Sequence, residues 1–313
     1  MSNNVLSINP ALSQALNSQP VDFEKHLEQH EKNSHIQRLK HVSSFMDAAM
    51  QRLEHGVQLF GDPMPWTKTQ DKFRFRPSEV TLWVGPNGQG KSLVMGQCAI
   101  PLSKNKKVGI ASFEMPADAT VARMYRQASG GGSPTRDIIN RINNELQIYI
   151  YDHVGNLNTN TVYGMVHYMA EQGVEHVMID SLVKCGVNSE KNEPQKDFLN
   201  KLQAIAKEHK IHIHLVHHVR KGANDTDTPD KNSIKGAGEL ADLADNILMI
   251  TRNQKKAKAI REKLPFDEDA PDSFIDVLKQ RHGEWEGRFC FWWCEKTMQW
   301  IDNKQGEYHR YVR

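Results

Sequence analysis

The chain has 313 residues, 38% of them hydrophobic and 25% charged, enough for one large core with an appendage or for two modest domains. A net charge of +2 excludes a globally basic protein, so any nucleic-acid surface must be a local patch. Four scattered cysteines, Cys98, Cys185, Cys290 and Cys294, form no CxxC pair and point to reduced thiols, and no stretch approaches the ~18 apolar residues of a membrane span.

Residues 1–20 are rich in Asn, Ser, Gln and Pro and read as a flexible N-terminus. Lys25 is the first Lys or Arg, which argues against a secretory signal or a mitochondrial presequence and for a cytoplasmic protein. Residues 21–60 read as a helical linker or interface segment. Within it Val42, Phe45, Met46, Ala49 and Leu53 recur at helical spacing and form one apolar stripe. Gly61-Asp62-Pro63 and Pro65 then break the chain.

Residues 61–313 read as one domain without internal repeats. Short β-branched runs alternate with helical stretches. Strands are predicted at Val80–Val84, Val108–Phe113, Leu146–Tyr151, His176–Asp180, Ile211–Val216, Asn246–Ile250 and Phe274–Lys279, with helices such as Thr161–Gln172 and Lys196–Glu208 between them. That alternation predicts an α/β fold with a mainly parallel central sheet. From Arg288 to Tyr311 the pattern changes to one of antiparallel strands. Gly222–Ser233 is polar and reads as a mobile surface loop.

Gly85-Pro86-Asn87-Gly88-Gln89-Gly90-Lys91-Ser92 matches G-x-x-x-x-G-K-[ST] in full, after an apolar strand and before a helix. Glycines let successive backbone N–H groups converge on phosphate oxygens, and the helix N-terminus adds its positive dipole end. Lys91 is placed to reach the β and γ phosphates, and Ser92 to hold Mg²⁺. A second strand ends in Met178-Ile179-Asp180, where a carboxylate can hold the same ion. These residues predict a P-loop nucleotide site using Mg²⁺ with ATP or dTTP.

Further motifs follow in order: Phe113-Glu114-Met115-Pro116, Met178-Ile179-Asp180, His217-His218-Val219-Arg220-Lys221, Lys235-Gly236-Ala237-Gly238-Glu239-Leu240 and Leu278-Lys279-Gln280-Arg281. With the phosphate loop they resemble the DnaB-like superfamily of replicative ring helicases, which includes the phage primase–helicases and mitochondrial Twinkle, over roughly Phe75 to Ile301. The resemblance implies a RecA-like P-loop NTPase core in which Glu114 is the catalytic base and His218 the γ-phosphate sensor. His217 is the alternative sensor. DnaB proteins usually carry Gln at this position and the phage branch His.

The resemblance also implies that Arg220, Lys221, Lys231 and Lys235 contact single-stranded DNA, although Asp225, Asp227 and Asp230 lie in the same stretch. Arg281, with Lys279, would reach a neighbouring subunit's nucleotide as an arginine finger. Trp292, Trp293 and Trp300 either hold the base or pack in the core.

The implied protein is an NTP-driven hexameric ring helicase in a bacterial cell or phage-infected host. It would move 5′ to 3′ on single-stranded and forked DNA in replication, with a separate primase, polymerase or loader. The segment before the phosphate loop is long enough for a linker helix and too short for a primase domain. A RecA-like DNA-dependent ATPase acting in recombination, or a helicase loader, is the alternative. A further reading makes His209, His212, His214, His217 and His218 a metal cluster. His212 and His214 share a strand face, but no acidic or Cys ligand has suitable spacing.

Overall fold

The computed structural model describes residues 21–33, 41–47, 49–50, 53–54, 60–188, 192–218 and 238–312. A short hairpin of β1 (Asp62–Pro63) and β2 (Arg74–Phe75) precedes the main sheet. The parallel strands are β3 (Val80–Gly85), β4 (Lys107–Ser112), β5 (Ile148–Tyr151), β6 (Val174–Asp180), β7 (His212–His218) and β8 (Asn246–Arg252). β9 (Ser273–Gln280), β10 (Gly287–Cys294) and β11 (Gln299–Ile301) add antiparallel to one edge. The order of the nine-stranded sheet is β11-β10-β9-β8-β3-β7-β6-β4-β5. Each predicted strand is present, with ends shifted by two residues or fewer, and the antiparallel tail is there as well.

The strands are apolar on both sides because both faces are covered. Val80, Leu82 and Val84 of β3 face the same way as Val177, Ile179, Ile213 and Leu215, and pack with α5 (Thr159–Glu171) and α6 (Asn192–His209). Trp83, Met178, Val216, Leu248 and Ile250 face the other way, toward α2 (Lys91–Leu102) and the segment around the β1–β2 hairpin. That period of two is what a buried parallel sheet requires. α3 (Ala117–Ser129) and α4 (Arg136–Glu145) continue the second layer. α7 (Gly238–Leu243) leads into β8, and α8 (Gln254–Glu262) joins β8 to β9.

Of the N-terminal segment, α1 (Phe23–Asn33) and a 3-10 turn at Val42–Phe45 are described, and the described residues 46–47, 49–50 and 53–54 are helical. α1 lies on α5, and Gly164 permits it: a Cβ there would sit 1.9 Å from the Phe23 carbonyl oxygen. Glu24 Oε1 accepts hydrogen bonds from Asn158 and Thr161, which fixes the start of α1 on that of α5. The predicted stripe of Val42, Phe45, Met46, Ala49 and Leu53 is exposed. Residues 1–20 lie outside the described residues.

A relay of buried imidazoles ties the hairpin to the sheet. Trp83 Nε1 donates to His214 Nδ1 at 3.3 Å, so the remaining His214 proton is on Nε2. That nitrogen donates to His176 Nδ1 at 3.1 Å, and His176 Nε2 donates to Asp62 Oδ2 at 3.1 Å. His212 Nδ1 donates to the Arg76 carbonyl at 2.6 Å, and its Nε2 accepts from Thr81 at 2.9 Å. His212 and His214 each have one donor and one acceptor role, which only the neutral form supplies. Burial pushes His212 down to about 3 and His214 well below the ordinary 6.5.

This sets a pH window for stability. The unfolded imidazoles take up protons near pH 6.5, whereas the folded His212 resists until about 3. The stabilisation is therefore complete above pH 6.5 and is lost as pH falls toward 3. Each extra proton bound by the unfolded chain should lower the unfolding free energy by about 1.4 kcal/mol per pH unit. Denaturant unfolding between pH 6.5 and 4 should show a steady fall carrying at least the two protons of His212 and His214. A flat profile would contradict the neutral relay.

Candidate nucleotide site

The site is assembled by strand order. β3, β7, β6 and β4 are parallel neighbours, so their carboxyl ends lie side by side. Gly85 pairs with His218 and Ser112 with Asp180, which brings the phosphate loop, the histidine pair, the strand-ending Asp and Glu114 to one edge.

The loop itself depends on two glycines. Gly85 has φ +152, and a Cβ on it would lie 2.3 Å from the Ile250 carbonyl oxygen of β8. Gly90 caps α2 in a left-handed conformation with φ 93. Gln89 ties the loop to the end of β8, accepting from the Arg252 backbone at 2.7 Å and from Gln254 at 3.1 Å. Lys91 is buried, and its Nζ donates to the carbonyls of Gly85 and Pro86, both at 2.8 Å. Burial lowers its pKa to about 8, against the charges of Asp180 and Glu114, which raise it. The cradle thus holds a buried ammonium resting on its own loop.

Beyond Lys91 stand two acids in opposite electrostatic states. Asp180 is buried and its carboxyl is pushed above the usual range. Burial is the main cause and the Glu114 charge adds to it, while the hydrogen bond from Ser92 opposes it. Its Oδ1 is buried with no hydrogen-bond partner. A hydroxyl and a buried carboxylate with an unused oxygen are the donor set that Mg²⁺ accepts, so Ser92 and Asp180 fit that ion.

Glu114 is half-exposed. Burial would raise its pKa, but hydrogen bonds from Ser181 and His218 and the nearby His218 and Lys184 charges reverse this and hold it below the ordinary value. Ser181 Oγ donates to Glu114 Oε1 at 2.5 Å, and His218 Nε2 to the same oxygen at 3.2 Å. Glu114 is therefore an oriented carboxylate, ionised at neutral pH and open to solvent on one side.

His217 lies deeper, beside Lys91. Burial lowers its pKa to about 4, helped by the charges of His218 and Lys91, and its Nδ1 has no partner. Two contributors were not evident from sequence. Ser181 carries no motif signal and meets Glu114 only because β4 and β6 are adjacent. Arg123 on α3 faces the Asp180 charge, which partly offsets the lowering of its own pKa by burial.

Lys279 and Arg281 are elsewhere. β9 runs antiparallel to β8, and Gln280 pairs with Asn246, which is level with Thr81 at the start of β3. Both basic residues therefore sit at the sheet edge opposite their own phosphate loop. Lys279 Nζ donates to the Asp242 carbonyl at 2.7 Å. Arg281 pairs with buried Asp245 at 2.8 Å and donates to the Leu243 carbonyl at 3.0 Å.

Arg220, Lys221, Lys231 and Lys235, with the loop Gly222–Ser233, lie outside the described residues. Trp300 is buried in the core beside Gly90, and Trp293 packs partly buried against the same cluster. Trp292 donates to the Asp269 carbonyl at 3.2 Å. The five histidines of the metal-cluster reading do not converge. His212 and His214 belong to the buried relay, whereas His218 serves Glu114.

A family model described as AAA domain matches residues 71–224. No curated protein matches the sequence. Among solved structures, the ATPase domain of a helicase superposes with TM-score 0.70 at 15% identity, covering 85% of this chain and 100% of that one. A DnaB-like replicative helicase, solved in a study of its interactions with primase, superposes with TM-score 0.70 at 16% identity, covering 93% of this chain and 75% of that one. The chain has a RecA-like P-loop core and, in its fold as in the order of its motifs, resembles the DnaB-like replicative helicases.

Proposed function

We propose that the chain is the motor of an NTP-driven ring helicase that translocates on single-stranded DNA and unwinds duplex DNA. The observation that carries this reading is the separation of the two halves of one catalytic apparatus. Glu114, Lys91, Ser92, Asp180 and His218 share one sheet edge, while Arg281 lies on the other. An arginine there can serve only a second copy's nucleotide, and such head-to-tail contacts close into a ring or extend as a filament.

The chemistry follows from the site. Ser92 and Asp180 would hold Mg²⁺, which supplies charge neutralisation on the β and γ oxygens when it is bound with ATP or dTTP. Lys91 leaves the carbonyls of its own loop for the phosphates, exchanging neutral acceptors for charged ones. Glu114 accepts a proton from the attacking water, with its orientation set by Ser181 and His218. His218 senses the γ-phosphate, because its ring bridges the strand end beside Gly85 and the base. Arg281 from the adjacent copy stabilises the charge that spreads over the transferred phosphoryl group. The basic stretch around Arg220, Lys221, Lys231 and Lys235 grips the DNA backbone, and a primase is a partner consistent with the helicase of similar fold.

Glu114→Gln should bind nucleotide yet hydrolyse it at least ~100-fold more slowly, because a positioned base contributes about 10²–10⁴. Ser181→Ala removes a bond that holds Glu114 low, so the acid limb of kcat/KM should move to higher pH. An unmoved limb would detach Ser181 from the base.

Mixing Glu114→Gln with Arg281→Ala should restore part of the hydrolysis through interfaces that combine an intact base with an intact finger. Proven subunit exchange with no recovery at any ratio would refute the shared site. Alanine at Arg220, Lys221 and Lys231 together should flatten the salt dependence of single-strand binding, by roughly 0.7 in slope for each lost phosphate contact. A forked-duplex assay with either tail tests unwinding and polarity. Filaments without unwinding would instead select the recombination-type ATPase.

A further inference from the structure

We propose that His167, Glu208 and His209 form a Zn²⁺ site that staples α5 to α6 at the sheet edge remote from the phosphate loop. α5 runs into the start of β6 and α6 into the start of β7, so the C-terminal turns of both helices lie at the amino edge of the sheet. There, one ligand atom from each of the three residues lies within 4.8 Å of the other two. His167 is 2% exposed, His209 is half-buried and Glu208 faces solvent, so the cluster opens to water on one side only.

The imidazoles are already aimed at one another. His167 Nδ1 and His209 Nε2 are 2.9 Å apart, and the rings meet edge to face at 73°. With both rings neutral, one nitrogen carries the proton and the other receives it. If the donor ring carries its proton on its other nitrogen instead, by tautomer exchange through solvent, both facing lone pairs are free for a cation and each imidazole stays neutral. Two nitrogens on a tetrahedral Zn²⁺ at about 2.0–2.1 Å lie about 3.3 Å apart, so the pair must open by about 0.4 Å and each ring must turn by roughly 35° to aim its lone pair at the ion.

Glu208 supplies the neutralising carboxylate and leaves a fourth position for water. The final turn of α6 adds the negative end of its dipole, which favours a cation. Two imidazoles and one carboxylate suit Zn²⁺, whereas Mg²⁺ demands an oxygen shell such as Ser92 and Asp180 offer. The two ions would therefore sort to opposite edges by ligand chemistry. Zn²⁺ would add a coordination link to the packing of α5 on α6.

The test uses the full chain without any affinity tag, stripped by chelation and titrated with Zn²⁺ against a chromophoric indicator in excess Mg²⁺. One equivalent should bind, and Co²⁺ in its place should give visible absorption of a four-coordinate site. His209→Ala should lose that equivalent and the Co²⁺ spectrum, and Glu208→Gln should weaken binding by at least about tenfold. Both residues are accessible enough for the variants to fold, which circular dichroism verifies. Zn²⁺ should also raise the melting midpoint of the parent chain and leave that of His209→Ala unmoved. A parent chain that takes up no Zn²⁺, or an equivalent that survives His209→Ala, as it would if Cys290 and Cys294 held it, overturns the proposal and leaves His167 and His209 as a packing contact.

Discussion

The parallel register of β3 between β7 and β8 is the constraint on which the rest depends. β3 pairs residue by residue with β7 from Val80 opposite Ile213 to Gly85 opposite His218, and with β8 from Thr81 opposite Asn246. A slip of one residue would turn Trp83 into the layer that holds Val80, Leu82 and Val84. It would also bring another residue to the point where Gly85 passes the Ile250 carbonyl. Only a residue without a Cβ passes there, so the first glycine of the phosphate loop also fixes how far β3 extends along β8. The chemistry and the packing therefore select the same register.

The opposite edge is tied to the same strand. Asp245 accepts from the Val80 backbone at 2.9 Å, from Gln203 at 3.1 Å and from Arg281 at 2.8 Å. The first residue of β3 and the guanidinium proposed to serve a neighbour thus share one buried carboxylate. β3 then runs without interruption to the phosphate loop. A force on Arg281 from an adjacent copy would act on the start of the strand whose end cradles the nucleotide, and sheet hydrogen bonds would carry it, not a flexible loop. A close-packed interior transmits displacement of this kind poorly by bending and well by rigid-body movement.

The legible part of the molecule was the part where chemistry demands particular residues at short spacing. Gly85 to Ser92 and the acid ending β6 carry a phosphate and cation signal in the residues themselves, whereas Glu114, after β4, stands out only through the family resemblance. The strands were legible from apolar runs. Ser181 was not, because its partner Glu114 lies 67 positions away and meets it only through strand adjacency. His212 and His214 were open to a metal reading because alternating histidines look alike whether they ligate or donate. Their true partners, Thr81, Trp83 and His176, come from neighbouring strands. The docking of α1 was not legible, because Gly164, whose missing Cβ makes room for its first turn, lies on a different helix.

The two acids of the site are pushed in opposite directions, and this pairing suits the tasks proposed for them. Glu114 is kept ionised by two hydrogen bonds on one oxygen, so as the proposed base it would need to release no proton first. Asp180, a strand-end neighbour of Ser112, has a raised pKa through burial and the charge of Glu114, with Ser92, His218 and Arg123 opposing it. A divalent cation on Asp180 and Ser92 would remove both penalties at once, since it supplies the positive charge that burial withholds. The same ion would lessen the repulsion that Asp180 exerts on an incoming polyphosphate. Lys91 has the inverse problem: buried, lowered to about 8 and resting on neutral carbonyls, it gains most from an anion. Cation and nucleotide therefore complete each other's site, and neither half of the cradle is electrostatically satisfied by the other half alone. That mutual need gives the site a physical reason to bind a metal–nucleotide complex as a unit.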